Sequence, residues 1–136
     1  MRTSEGRLVG GLVRFLLASD YRVRLEVPNM GQSVDIVATR GRWATFIEVK
    51  ATDWKRALRQ CRSHECVADY VCVAIGTRSV STALLDAARG RGYGVLHCLA
   101  EEEQCMWVVK PRLNKKKWPP QRKQLGKDLK AISHER

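Results

Sequence analysis

The chain has 136 residues, enough for one domain with a single sizeable core. Its 44% hydrophobic and 29% charged residues match a globular rather than a disordered protein, and no apolar run is long enough to span a bilayer. The formal net charge of +11 points to an anionic partner, and it is unevenly placed: residues 110–136 hold 10 Lys or Arg and 2 Asp or Glu, a surplus of 8, while residues 1–109 hold 15 and 12, a surplus of 3.

The start, MRTSEGRLVGGLVRFLLASD, has Glu5, Arg7 and Arg14 inside its apolar stretch, which argues against a secretory signal. Ser4 can cap a helix over residues 4–18, with Leu8, Val9, Leu12, Phe15 and Leu16 as its apolar stripe. Glu5 borders that stripe. It is either a first-turn acid favoured by the helix dipole or a carboxylate with a task. A strand is expected over 21–28, with Val23, Leu25 and Val27 on one face, and Pro28-Asn29-Met30-Gly31 reads as a turn.

Residues 33–50, SVDIVATRGRWATFIEVK, read as a hairpin with its turn centred on Arg40-Gly41. Asp35, Glu48 and Lys50 interrupt its apolar runs. Side chains alternate along a strand, so Phe46, Glu48 and Lys50 share a face. A two-residue loop at Arg40-Gly41 pairs Asp35 with Phe46, and a four-residue loop pairs it with Glu48. Either register gathers Asp35, Glu48 and Lys50 on one side, whereas an odd-length turn would separate them.

Beyond the hairpin, residues 53–65 fit a helix capped by Asp53, with Trp54, Ala57, Leu58 and Cys61 inward. Lys55, Arg56, Arg59 and Arg62 lie on its other faces. YVCVAI at 70–75 suits a strand buried on both sides, 80–90 a short helix, and 94–99 and 105–109 two more strands. The acidic run 101–103 reads as a loop. After Pro111 the sequence PRLNKKKWPPQRKQLGKDLK is cation-rich, poor in apolar residues and interrupted by two prolines, so residues 111–136 read as a basic extension, disordered or folding on a partner. The order α-β-β-β-α-β-α-β-β makes an α/β domain over 1–110, a central mixed sheet flanked by helices.

Two close carboxylates repel each other, which raises a pKa or demands a cation. Lys50 offsets part of this. A divalent ion offsets more, and hard oxygen ligands favour Mg²⁺, with Mn²⁺ as its substitute. Such a site suits phosphodiester hydrolysis, with an adjacent ammonium stabilising developing charge. The alternative is a structural ion pair of Lys50 with Glu48 or Asp35.

Asp35 followed by Glu48-Val49-Lys50 resembles the PD-(D/E)xK nuclease signature, written here as D…ExK with Val34 in place of the proline. The preceding Glu5 helix, the following helix with Gln60 in RALRQC, and the strand opened by Asp69-Tyr70 extend the likeness over residues 4–99. It is nearest to the Mrr-like and Holliday-junction-resolvase-like branches. The resemblance implies a restriction-endonuclease-like αβββαβ core and a metal-dependent DNA endonuclease, structure-specific or of restriction or repair type. It further implies Asp35 and Glu48 as Mg²⁺ ligands, the Val49 carbonyl as a third and Glu5 as an outer or second-metal carboxylate. Lys50 would be the catalytic ammonium and Gln60 a site-lining residue.

Nucleic acid, DNA first, is the expected partner; a membrane is not, since the tail lacks an apolar face. Lys55, Arg56, Arg59 and Arg62 would contact phosphates, unless they form a merely solvated helix face. Lys115, Lys116, Lys117, Arg122 and Lys123, with Trp118 to stack on a base, would add a second contact, unless the tail only solubilises. Cutting two strands with one site per chain would take a homodimer. The five cysteines, Cys61, Cys66, Cys72, Cys98 and Cys105, form no CxxC and fit no common zinc spacing with His64 or His97, so free thiols in a cytoplasmic protein are expected. The rivals are a non-catalytic nucleic-acid-binding module on the same fold and an interaction protein docking by its tail. RNA also remains open as substrate.

Overall fold

The computed structural model describes residues 4–99 and 104–133, so the acidic run 101–103 lies outside the described residues. In chain order it contains α1 (Ser4–Ala18), β1 (Arg22–Asn29), β2 (Gln32–Arg40), β3 (Trp43–Lys50), α2 (Trp54–Arg62), a 3-10 turn (Ser63–Cys66), β4 (Tyr70–Ile75), α3 (Thr82–Arg91), β5 (Gly94–Leu99), β6 (Gln104–Val109) and α4 (Pro119–Ser133). The six strands form one mixed sheet in sequential order. β3, β4 and β5 run parallel, and the other pairings are antiparallel.

Both parallel connections step the same way across the sheet, so right-handed crossovers put α2 and α3 on one face. Ala57 and Cys61 of α2, Leu84 and Ala88 of α3 and Leu125 of α4 pack there against Val37, Phe46, Val73 and Val95. Leu8, Leu12 and Leu16 of α1 cover the other face against Ile36, Ile47, Val49 and Leu96. Each of these α1 leucines is almost fully buried and contributes about 2 kcal/mol. α1 closes tightly on the sheet because residue 76 is glycine: a Cβ there would lie 2.6 Å from a Leu8 methyl. The amide of Gly76 in turn donates to the Lys50 carbonyl at 3.1 Å, tying the carboxyl ends of β3 and β4 together.

The helix caps follow the sequence. The Asp53 side chain accepts from the Arg56 amide and Ser81 from the Leu84 amide, and Gly92 ends α3 in the left-handed conformation. Three expectations are corrected. The hairpin turn is Gly41-Arg42, with Arg40 opposite Trp43, one residue later than expected. Gly41 has φ +62, which a two-residue hairpin loop requires at its first position and only glycine adopts freely. In β1, Val23, Leu25 and Val27 do not share a buried face: Leu25 is half exposed while Val27 is fully buried. Glu26, at φ +52, breaks the ladder opposite Asp35 and swings Val27 to the α2 side.

The third correction concerns the tail, which is packed. The Asn114 side chain donates to the Glu65 and Ala68 carbonyls, and its amide donates to the Asp69 carbonyl. The Trp118 amide donates to the Cys66 carbonyl. Pro119 and Pro120 open α4 instead of breaking it, because first-turn amides have no intrahelical acceptor to lose. Leu125 then reaches the core.

Candidate active site

β2 and β3 bring the two carboxylates together. Ile36 faces Ile47, so the same register carries Asp35 opposite Glu48. This is the pairing that a four-residue loop was expected to give, reached instead by a two-residue loop shifted one position. The carboxyl groups are within hydrogen-bonding reach of each other. Asp35 Oδ2 also accepts from the Val49 amide at 2.8 Å. Burial pushes the Asp35 carboxyl up to about 6; Glu48 beside it adds to the rise, while the Val49 amide and Lys50 oppose it.

Glu48 is almost fully buried, and its Oε2 lies 2.6 Å from His64 Nε2. His64 is itself buried in the 3-10 turn, packs edge-on against Phe46, and receives the Asn29 side-chain amide on Nδ1 at 3.1 Å. Asn29, His64 and Glu48 thus form one hydrogen-bonded chain, and Asp35, held by the Val49 amide, stands beside its Glu48 end. Sequence reasoning weighed His64 only as a zinc ligand. The signal that could have found it is a histidine beside the buried helix end that must cross over β3.

Lys50 closes β3 at the same edge, half buried and near enough to Asp35 to favour its ionised form. Glu5 reaches this end of β3 from the opposite face, where its Oε2 accepts from the Ala51 amide at 3.3 Å. Gln60 precedes Cys61, whose buried thiol is raised by burial and by Glu48 and Asp35 among its neighbours. The Gln60 Oε1 is buried with no hydrogen-bond partner, an orphan acceptor on α2. Val49 enters the site through its amide; the structure gives its carbonyl no role beyond the strand. Lys55, Arg56, Arg59 and Arg62 are exposed on α2.

The tail residues divide. Lys117 Nζ lies 2.5 Å and Arg122 Nη2 3.1 Å from the buried Asp69 carboxylate, so their charges are engaged inside the protein. Lys116 is 3.5 Å from Glu65, and Lys115, Trp118 and Lys123 are exposed.

Two adjacent carboxylates, one of them pushed up to about 6 by burial, are a donor set that fits a hard divalent cation. Among the described residues no three His, Cys, Asp or Glu side chains are grouped to hold a metal by themselves. A bound ion would complete its shell with water and phosphate oxygens, as Mg²⁺ does.

The first six elements and their pairing make the αβββαβ core of the restriction-endonuclease-like α/β fold, with the polar cluster at the carboxyl end of β3. No protein-family model matches the sequence, and no curated protein does. Solved structures do match. The SPO1766 protein of unknown function from Silicibacter pomeroyi superposes with a TM-score of 0.77 at 22% identity, over 98% of this chain and 88% of that one. An fdxN element excision controlling factor protein from Anabaena variabilis gives 0.57 at 14% identity, over 79% of this chain and 99% of that one. A XisH family protein from Nostoc punctiforme gives 0.52 at 16% identity, over 75% and 98%. At these identities the likeness establishes the fold. No described helix is long and apolar enough to cross a membrane.

Proposed function

We propose that this chain is a metal-dependent endonuclease that hydrolyses phosphodiester bonds in DNA. The observation that carries the reading is the Asp35–Glu48 carboxylate pair beside Lys50 at the carboxyl end of a parallel strand. In this reading Asp35 and Glu48 hold Mg²⁺ or Mn²⁺ with the Val49 carbonyl, and Glu5, which comes from the other face, acts as an outer or second-metal carboxylate. When bound, the ion supplies Lewis acidity to the phosphate and to a coordinated water. Lys50 orients the attacking water and stabilises charge on the phosphate. Gln60 donates and accepts hydrogen bonds at the site wall. Exposed Lys55, Arg56, Arg59 and Arg62 take backbone phosphates, and Lys115, Lys116, Lys123 and Trp118 extend the contact. Cleavage of both strands, or of a branched junction, calls for a homodimer. The free thiols suit a reducing cytoplasm.

A second reading, a binding module without catalysis, is favoured by one observation: His64 occupies an oxygen of Glu48. The two readings separate in a cleavage assay with Mg²⁺ on linear duplex, single strand, flap and four-way junction. The nuclease reading expects cutting that is abolished by EDTA, by Asp35→Asn and by Glu48→Gln. DNA binding without cutting, indifferent to Mg²⁺ and to Lys50→Ala, would establish the binding module instead.

A further inference from the structure

At the opposite end of β3, Tyr21, Trp43, Tyr70 and Trp107 line an open groove of about 190 Å³ together with Arg40 and Lys110. A soluble domain usually turns such rings inward. Here Trp43 remains 36% exposed at the amino-terminal end of the interior strand β3. The Trp43 and Tyr70 ring centroids are 6.3 Å apart with their planes tilted by 60°, so each presents its own face to the groove. Cations already lie over their faces. The Arg40 guanidinium is 4.3 Å from the Tyr21 centroid, Arg42 is 4.6 Å from Trp43, and Lys110 Nζ is 5.1 Å from Trp107. No Asp or Glu is among the described groove residues.

We propose that this groove binds single-stranded nucleic acid, with bases stacked on Trp43 and Trp107 and phosphates held by Arg40, Arg42 and Lys110. Unpaired bases supply flat π-faces for the rings, and their phosphates supply the charge that complements an acid-free, cation-flanked groove. A paired strand keeps its bases stacked inside the duplex and cannot offer them. The resident cations do not compete strongly: a surface cation–π contact corresponds to a factor of about 2 to 5 in affinity, a stacked base to about 5 to 150. The groove lies about 23 Å from Lys50, seven residues along an extended strand. It binds whether or not the chain cuts, so the proposal does not rest on the nuclease reading.

The test is titration of a fluorescein-labelled oligodeoxythymidylate with full-length protein in EDTA, read by anisotropy, while wild-type tryptophan quenching is followed in parallel. Trp43→Ala and Trp107→Ala should each weaken binding about tenfold. Arg40→Glu and Lys110→Glu, both at exposed positions, should weaken it and flatten the salt dependence, while the exposed α3 control Arg89→Glu should do so far less. Unlabelled polyglutamate should compete poorly. Binding that survives both tryptophan changes, that polyglutamate displaces as well as the oligonucleotide does, or that a blunt duplex of equal length matches would overturn the proposal. The charge-reversal pair decides the question if a tryptophan variant fails to fold. Nuclease failure would be seen separately, as intact DNA in Mg²⁺.

Discussion

His64 and Glu48 form a buried pair, with imidazole Nε2 at 2.6 Å from the carboxylate and side-chain exposures of 0% and 2%. The Asn29 amide donates to Nδ1, so Nε2 carries the proton and donates to Glu48. The imidazole therefore fixes one oxygen of Glu48, the carboxylate that stands beside Asp35. A site carboxylate held from behind in this way keeps one orientation without help from a ligand.

His64→Ala should be costly, because it leaves a carboxylate buried without its partner. The expected loss is about 3–5 kcal/mol, read as a lower urea midpoint. His64→Gln keeps an N–H donor of similar reach and should recover part of that loss. A cost below about 1 kcal/mol for His64→Ala would mean that Glu48 finds water or another donor.

Asp35 gives the metal-free protein a pH dependence of definite sign. Its carboxyl titrates near 6 in the folded chain against a usual 3.8, so between those values the folded state binds more protons than the unfolded one. Stability should fall as pH rises from 4 to 7, by about 1–2 kcal/mol once its partial exposure is allowed for. Chemical denaturation in EDTA checks this as wild type minus Asp35→Asn, since the variant lacks that share of the slope. Adding Mg²⁺ at pH 7.5 should restore stability to wild type and not to Asp35→Asn.

The order of elements through β6 and the grouping of Asp35, Glu48 and Lys50 were legible because they rest on apolar period, caps and strand alternation, all local properties. What was illegible depended on partners distant in sequence. The hairpin register was settled by whether residue 41 or residue 40 took the positive φ. The broken alternation at Glu26 leaves no mark in the pattern VRLEV. His64 gained its role only when α2 crossed back over β3. The tail was misread for a related reason: its cation density resembles disorder until Asp69, 48 residues from Lys117, supplies a buried counter-charge.

Asp69 should therefore act as the clasp of the C-terminal segment. Its carboxylate accepts from the Ala44 amide at 2.7 Å while binding Lys117 and Arg122. Asp69→Ala strands a buried N–H and two cations, for an expected loss of about 2–4 kcal/mol. The segment should also open locally before the core unfolds. Limited trypsin digestion should then cut after Lys115, Lys116 or Lys117 faster than in wild type, leaving a core that ends there. An unchanged digestion rate would show that Asn114 and Leu125 hold the segment alone.

Cys98 and Cys105 sit opposite each other on β5 and β6, with sulfurs 2.8 Å apart. The hydrogen bond between them lowers the Cys105 thiol and Arg14 lowers it further, against its partial burial, while Cys98 is pushed up. The thiolate is the reactive form, so Cys105 should alkylate first with iodoacetamide at neutral pH. Cys72, fully buried and pushed up to about 12, and Cys61, raised by burial, should stay unmodified until the protein unfolds. Arg14→Ala removes the nearby positive charge and should slow Cys105 alkylation by about two- to threefold. Peptide mass mapping over a time course reads all of these thiols at once. Equal rates at Cys66 and Cys105 would mean that exposure alone, and not the Cys98–Arg14 environment, sets reactivity in this chain.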